Sequence, residues 1–303
     1  FKTLPVSFSV YMDFESFLQP KDNGDVKHIP SGFSAIRIAT NPEHNGELEC
    51  YSGPDTENDP DHVIREVVKY LADQDKYAKA VLSDSNNPIR MSAEAENSFE
   101  NASECYVCHT NFRENRLVKV RDHDHLSSNE QSNYRGAACN SCNLALKPRK
   151  GKSHFSQESA YFLPVFLHGG ANYDFHLILK HFSRRFNQDE INVIPSNTER
   201  YIGFSIGNLR FLDSCRFLTA SLDALTKNLL KSGKSTFKIT HDKFKGSDLV
   251  FRKGVYPYEH MTGPASFEET ELPPKEAFYS KLNEQEISDN DYKLAHDTWV
   301  AFG

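Results

Sequence analysis

The chain has 303 residues, 38% of them hydrophobic, and this length predicts one large domain plus a smaller unit. The formal net charge of −7 excludes general attraction to nucleic acid, so contact with DNA must depend on local basic residues. The sequence shows no signal peptide and no apolar run of the roughly 18 residues that span a membrane, so we expect an intracellular protein, in the nucleus or cytoplasm, that is neither secreted nor membrane-bound.

The first predicted element is a strand over residues 6–17, in which hydrophobic and polar residues alternate. Asp13 and Glu15 share one face, and the opposite face is hydrophobic: Val6, Phe8, Val10, Met12 and Phe14. Two neighbouring carboxylates suit a pair of divalent cations that hydrolyse a phosphodiester. Acidic residues on the wet face of a strand are also common without any metal, and both interpretations stay open.

Further strands are predicted at residues 33–39 and 47–51, followed by a helix that Asp59 and Pro60 begin. Hydrophobic residues of this helix recur on one face: Val63, Ile64, Val67, Val68 and Leu71. Residues 1–85 are therefore predicted to form the first part of the larger domain, and the polar residues 86–103 a linker.

Two C-x-x-C pairs follow, Cys105/Cys108 and Cys139/Cys142, with 30 residues between them. Four thiolates in two such pairs make the closed tetrahedral site that structural Zn²⁺ prefers. Two disulfides in a secreted protein are disfavoured, because four of only six cysteines lie here. Residues 104–150 are predicted to form a small module that the metal stabilises.

Between the pairs lies the run Asp122-His123-Asp124-His125. In an extended segment the two histidines point to one side and the two aspartates to the other. Such a strand can hold a divalent cation against a phosphate while an imidazole activates water. A polar hairpin tip and a second zinc site are the alternatives. Residues 147–150 and 152 are mostly basic and are either a DNA contact or a solvated linker.

The order C-x-x-C, DHDH and Y-R-G-x-x-C-N-x-C-N resembles the phage recombination endonucleases of the endonuclease VII type, within the His-Me finger group. The resemblance implies a ββα module in which His123 is the general base, Asp122 and Asn143 hold Mg²⁺ or Mn²⁺, and His125 contacts phosphate or assists. It also implies that the four cysteines bind structural Zn²⁺. Leu146 is a departure, because those enzymes have a glutamate there that assists the metal site. The phage enzymes act as dimers, so the resemblance implies a homodimer through the zinc module, although no long apolar helix for that interface is evident.

Residues 157–303 are predicted to form the second part of the larger domain. A buried strand over residues 161–167 precedes a helix that Asn172 caps, and Asp174 lies in its first turn, where the helix dipole alone favours an acid. The remaining predicted elements are strands over 191–194, 201–206 and 209–212, a helix over 222–230 capped by Ser221, and an acidic, helix-prone tail over 267–303 with Trp299 in the core.

Outside the zinc module, five ordered segments resemble the N-terminal part of protein-primed family B DNA polymerases of viruses, linear plasmids and transposons: YMDFESF, FLHGGANYDFHLIL, LRFLDSCRFLTASLDAL, GVYPYEHM and LPPKEAFYS. This resemblance implies an RNase H-like 3′–5′ proofreading exonuclease in which Asp13, Glu15 and Asp174 bind two Mg²⁺ ions. Gly169 departs from the pattern, because an asparagine that contacts single-stranded DNA is usual there. The third motif, Y-x-x-x-D, is expected shortly after Trp299, where this chain ends.

The sequence thus predicts an α/β protein, an RNase H-like mixed sheet with helices that a zinc-bound ββα His-Me finger module interrupts. The predicted function is metal-dependent endonucleolytic hydrolysis of DNA, beside an exonuclease domain that stops before its third motif. The chain begins at Phe1 and is expected to be an excised segment without the polymerase part. Single-stranded 3′ ends or branched duplex DNA are the expected partners. The alternatives are an inactive zinc-dependent module that binds DNA or recognises branches, and a structural zinc protein without a nucleic-acid role.

Overall fold

The computed structural model describes residues 6–53, 59, 61–84, 86–146, 161–182, 191–197, 201–245, 247–281 and 283–302. The basic run at residues 147–150 and 152 lies outside these residues, as does Pro60. The strands are β1 (Phe8–Pro20), β2 (Val26–Ala39), β3 (Glu49–Ser52), β4 (Lys119–His123), β5 (Tyr134–Cys139), β6 (Leu163–Leu167), β7 (Ile191–Pro195), β8 (Tyr201–Ile206) and β9 (Leu209–Asp213). The α-helices are α1 (His62–Asp84), α2 (Ala93–Asn101), α3 (Asn140–Ala145), α4 (Asp174–Phe182), α5 (Leu222–Leu230), α6 (Lys238–Lys243) and α7 (Asp289–Phe302).

Seven strands form one mixed sheet in the order β3-β2-β1-β6-β9-β8-β7. β1 pairs with β6 in parallel and β6 with β9 in parallel, whereas the other neighbours are antiparallel. The predicted α/β class is confirmed as a mixed α/β fold, and the RNase H-like assignment stays a prediction. β6 is shorter than β1 and ends beside its middle, since Tyr11 pairs with Phe166, so the residues that follow β6 approach Asp13 and Glu15 within β1.

The alternation in β1 has the predicted effect. Val10, Met12 and Phe14 are buried in a hydrophobic cluster with residues of α1 and α4, while Asp13 and Glu15 lie on the other face. The predicted stripe of α1 is confirmed, since Val63, Ile64, Val67 and Leu71 are buried and Val68 packs against the same cluster. Val6 differs from the prediction, because it precedes β1 and is exposed.

Two predictions about helices in the second part are wrong. Asn172 does not cap the helix, because it ends a short 3₁₀ turn over Gly170–Asn172 and α4 begins only at Asp174. Trp299 is not a core anchor, because the buried residues of α7 are Leu294 and Ala295 and the indole is only half-buried.

A second, smaller unit contains the hairpin of β4 and β5, with α3 packed against both strands. Residues 86–103, predicted as a linker, contain α2, whose Phe99 lies in the core of this unit with Phe112, Ala137 and Ala138. The ammonium of Lys119 donates to the carbonyl oxygens of Phe99 and Ala102 at the end of α2, at 2.7 and 3.1 Å. The unit predicted over residues 104–150 therefore begins at residue 86, and we use the name zinc module for residues 86–146 from this point.

The tip of the β4–β5 hairpin contacts the larger domain. The Asn41 side chain donates to the Leu126 carbonyl oxygen at 3.4 Å, Ser128 donates to Glu43, and Leu126 packs against the core of the large sheet. Leu126 and Ser128, which follow His123 along the chain, are thereby held against the larger domain. No helix in the described part of the chain is both long enough and apolar enough to cross a membrane.

Candidate functional site

The four predicted zinc ligands come together. The sulfur atoms of Cys105, Cys108, Cys139 and Cys142 all lie within 4.8 Å of one another, and those of Cys108 and Cys139 are 4.0 Å apart. A tetrahedral site with Zn–S bonds of about 2.3 Å requires sulfur atoms about 3.8 Å apart. The cluster therefore fits a four-coordinate metal. Among the described residues, no second group of three or more His, Cys, Asp or Glu side chains is this close.

Local hydrogen bonds shape the cluster before any metal is considered. His109 adopts a left-handed φ of 55°, and its amide donates to the Cys105 carbonyl oxygen at 2.7 Å, which closes the first knuckle. The Cys139 amide donates to the Cys105 sulfur at 3.2 Å. Hydrogen bonds from Thr110 lower the pKa of Cys108 to about 6, whereas burial and the neighbouring sulfur atoms raise the pKa of Cys142. Without a cation, four such thiols resist ionising together, and a bound divalent cation removes that conflict.

The two histidines of the DHDH run lie side by side. The ring centroids of His123 and His125 are 4.2 Å apart, although β4 ends at His123 and His125 lies in the turn that follows, so the expected extended segment does not continue to His125. A β-bulge between Asp122 and His123 ends the regular pairing of β4 with β5 at this point. His125 Nδ1 lies 3.0 Å from Asn86 Oδ1 and donates to it, which leaves Nε2 as the basic nitrogen of the neutral ring. Partial burial and the charge of His123 lower the pKa of His125.

Asp122 is buried, and both of its carboxylate oxygens accept hydrogen bonds. Arg135 on β5 donates from Nε and Nη2 to its two carboxylate oxygens, each at 2.9 Å, and the Tyr106 hydroxyl donates to Oδ2. Gly136 makes this approach of Tyr106 possible, because a Cβ there would lie 2.7 Å from the tyrosine ring. Sequence reasoning missed Arg135 and Tyr106. The nearest signal was the position of Tyr106 directly after Cys105, a predicted zinc ligand.

Asn143 lies on α3, immediately after Cys142, and its side chain is half-buried. With Asp122 it supplies the carboxylate and amide oxygens that Mg²⁺ and Mn²⁺ prefer. The donor chemistry thus fits the predicted cation, although both oxygens of Asp122 already accept hydrogen bonds. Leu146 is buried just beyond α3, so an apolar side chain occupies the position of the glutamate in the phage enzymes.

Asp13, Glu15 and Asp174, the sheet-edge carboxylates, form a second acidic site where β6 ends beside the middle of β1 and α4 begins. Asp13 and Glu15 expose surface, yet protein closes around them and removes much of their water. This desolvation raises the pKa of Asp13 and, together with the charge of Asp13, raises the pKa of Glu15 to about 7. Burial and the charge of Asp13 raise the pKa of Asp174 to about 7. The three carboxylates are therefore within electrostatic reach of one another, although they are not as tightly grouped as the cysteines.

Asp213 builds the loop that places Asp174. Its carboxylate accepts hydrogen bonds from the amides of Gly169, Ala171 and Cys215, at 2.8, 3.1 and 2.9 Å. Gly169 has a φ of 88°, a conformation that glycine adopts without strain. The loop between β6 and α4 is thus fixed, and so is the start of α4. Sequence reasoning did not find this structural role of Asp213.

Residues 86–163 match the protein family described as Recombination endonuclease VII. The match covers a minor part of the chain, includes the four-cysteine cluster and begins at residue 86, where the zinc module begins. This region is an endonuclease VII-like nuclease domain, and nuclease domains of this family act on DNA. Neither the curated proteins nor the solved structures compared with the chain give a significant match.

Proposed function

We propose that this protein is a metal-dependent DNA endonuclease of the His-Me finger type and that the zinc module hydrolyses the phosphodiester bond. The observation that supports this most strongly is the histidine pair, with ring centroids 4.2 Å apart, beside the buried Asp122 on the β4–β5 hairpin. The four-sulfur cluster supports the same hairpin from the side of α3.

His123 takes the proton of the attacking water, and His125 contacts the phosphate through Nε2 while Asn86 fixes its ring. Asp122 and Asn143 hold the catalytic cation. When bound, Mg²⁺ or Mn²⁺ supplies neutralisation of the charge that develops on the phosphate and on the leaving 3′-oxygen. The cysteine cluster binds structural Zn²⁺ and keeps these side chains in place.

The test uses the zinc-loaded protein with a supercoiled plasmid and with a four-way DNA junction, in Mg²⁺, in Mn²⁺ or without added divalent cation. The proposal expects relaxed and linear plasmid, or resolved junction, only when a divalent cation is present. Products that form equally well without added divalent cation, while zinc content is unchanged, would overturn the metal-dependent mechanism.

An inactive DNA-binding module is the alternative, and two observations favour it. Arg135 already occupies both oxygens of Asp122, and Leu146 replaces an acidic residue. A gel shift of the junction without added divalent cation, with no cleavage in Mg²⁺ or Mn²⁺ by a protein that holds zinc and is folded, would establish the alternative.

A 3′–5′ exonuclease at the sheet edge is a second candidate function. The raised pKa values of Glu15 and Asp174, both about 7, support it, because carboxylates that repel each other gain most from binding divalent cations. We expect the protein to shorten a 5′-labelled single strand stepwise in Mg²⁺ and Asp174→Asn to stop this, while His123→Ala leaves it unchanged. No shortening by the unaltered protein would contradict this candidate.

For the larger domain we propose an RNase H-like fold and an origin in a protein-primed family B DNA polymerase, supported by five resemblant segments in the same order along the chain. An intracellular location and a homodimer through the zinc module belong to the same proposal. Light scattering of the purified protein tests the dimer, since a monomer mass at high protein concentration would contradict it.

A further inference from the structure

Arg135 forms an ion pair with the buried Asp122 at the place where the catalytic cation is expected. The Asp122 side chain is 6% exposed and that of Arg135 is 30% exposed. The guanidinium faces the carboxylate with two parallel hydrogen bonds of 2.9 Å, the geometry of a strong bidentate pair. A buried carboxylate without a partner would be costly, so Arg135 supplies the charge that Asp122 needs before a cation arrives.

The same pair obstructs a cation. A carboxylate has about four lone-pair positions, and Arg135 and Tyr106 use three of them. Mg²⁺ requires near-octahedral geometry, so beside the arginine fork it would have to bind through the one remaining lone pair of Asp122. The positive charge of Arg135 also repels a dication bound to the same group.

The Arg135 side chain can leave Asp122 toward solvent and the histidine pair. Its side chain is the partly exposed member of the pair, and its charge contributes to the lowered pKa of His125, so the guanidinium lies near the histidine pair. Tyr106 is held separately, because its amide donates to the Ala137 carbonyl oxygen at 2.9 Å and its ring packs over Gly136. Asp122 therefore keeps one fixed hydrogen bond when the arginine leaves.

We propose that Arg135 is a latch, which occupies Asp122 in the metal-free protein, is displaced when the catalytic cation binds, and then pairs with a phosphate of the DNA. This inference rests on the proposed endonuclease function and adds a regulatory and substrate-binding residue to that site. Metal loading and DNA binding are thereby coupled, because the arginine that leaves Asp122 gains a new anionic partner on the substrate.

The test measures Mn²⁺ binding by electron paramagnetic resonance on the zinc-loaded protein without DNA. Every protein carries Asp13→Asn, Glu15→Gln and Asp174→Asn, so that the sheet-edge carboxylates do not contribute. Arg135→Gln is compared with the unaltered arginine, with Asp122→Asn and with Arg121→Gln. Arg121 is the matched control, because it lies in the same hairpin and pairs instead with Glu96 at 3.0 Å.

The proposal predicts that Arg135→Gln binds Mn²⁺ roughly tenfold more tightly than the protein with Arg135, and that Arg121→Gln binds it with unchanged affinity. Asp122→Asn should abolish the binding, both with Arg135 and with Arg135→Gln. The proposal also predicts that DNA binding by Arg135→Gln in Mn²⁺ has a salt dependence reduced by about one phosphate contact. Arg135→Lys keeps the charge without the fork and should bind Mn²⁺ with intermediate affinity. Zinc content and thermal unfolding report which variants are folded.

One outcome overturns the latch and leaves the nuclease proposal standing. In it, zinc-replete Arg135→Gln binds Mn²⁺ no more tightly than the protein with Arg135, the binding still depends on Asp122, and the unaltered protein still cleaves plasmid. No binding that depends on Asp122 in any variant, together with no cleavage of plasmid or junction by the unaltered protein, overturns the nuclease proposal and the latch with it.

Discussion

Tyr106 connects the four-cysteine cluster to the candidate catalytic site. It follows Cys105 directly in the chain, and its hydroxyl donates a hydrogen bond to the Asp122 carboxylate. In Tyr106→Phe the ring still packs over Gly136, but Asp122 loses one donor. We expect a free energy of unfolding lower by about 1–2 kcal/mol, unchanged zinc content and slower plasmid nicking. Urea unfolding, zinc analysis and nicking rates measure the three quantities. Full nicking activity would show that this hydrogen bond does not position Asp122 for catalysis.

Gly136 is predicted to be intolerant of any side chain. A Cβ there would lie 2.7 Å from the Tyr106 ring, whereas a Cβ at Gly254 meets nothing within 4 Å. Gly136→Ala should lower the free energy of unfolding by about 1–3 kcal/mol, because the ring must move, and Gly254→Ala is the matched control. Chemical denaturation compares the two variants. Equal stability of both would mean that Tyr106 does not pack as described.

Removal of zinc should unfold the zinc module and leave the large sheet folded. The two parts have separate hydrophobic clusters, and that of the module is small and includes Cys105 and Cys139 themselves. Chelation, or Cys142→Ser, should make residues 86–146 sensitive to protease and abolish nicking. Cys50→Ser is the control, since Cys50 is exposed and lies outside the cluster. Loss of the whole fold on chelation would show that the module also supports the large sheet.

The stability of the metal-free protein should depend on the sheet-edge carboxylates with a definite sign. Because the pKa of Asp174 is raised to about 7, the folded protein holds a proton that the unfolded chain releases at lower pH. The stabilising effect of that proton is complete at low pH and is lost as the pH rises from about 4 to about 7.

The effect of Asp174→Asn on the free energy of unfolding should therefore be more favourable at pH 8 than at pH 5. The two effects should differ by on the order of 2 kcal/mol. Thermal unfolding at both pH values in EDTA measures this, and Asp242→Asn, at an exposed position in α6, is the control. The same pH dependence in the unaltered protein and in Asp174→Asn would contradict the raised pKa.

The sequence was informative wherever one short pattern decides the geometry. Alternation placed Asp13 and Glu15 opposite a buried face, and the C-x-x-C spacing brought four sulfur atoms together. These relations depend on backbone periodicity and on spacing, which can be read without a tertiary structure.

Relations between distant segments could not be read in this way. The hydrogen bonds of Arg135 and Tyr106 to Asp122 depend on the pairing register of β4 with β5 and on the close approach at Gly136. The segment predicted as a linker contains α2, because the buried residues that cluster with Phe99 are Cys105 and residues that follow it. Asp213 fixes the loop before α4 from a strand more than 40 residues away, and its local sequence gives no sign of this.

The most direct test of the endonuclease proposal is the single-turnover rate of plasmid nicking by His123→Ala, at saturating Mg²⁺ and with zinc content confirmed. A general base contributes about 10²- to 10⁴-fold, so the rate should fall by that factor. His296→Ala, an exposed histidine on α7, should nick at the unaltered rate. Nicking by His123→Ala within about threefold of the unaltered protein would show that His123 is not the base and that the cleavage arises elsewhere.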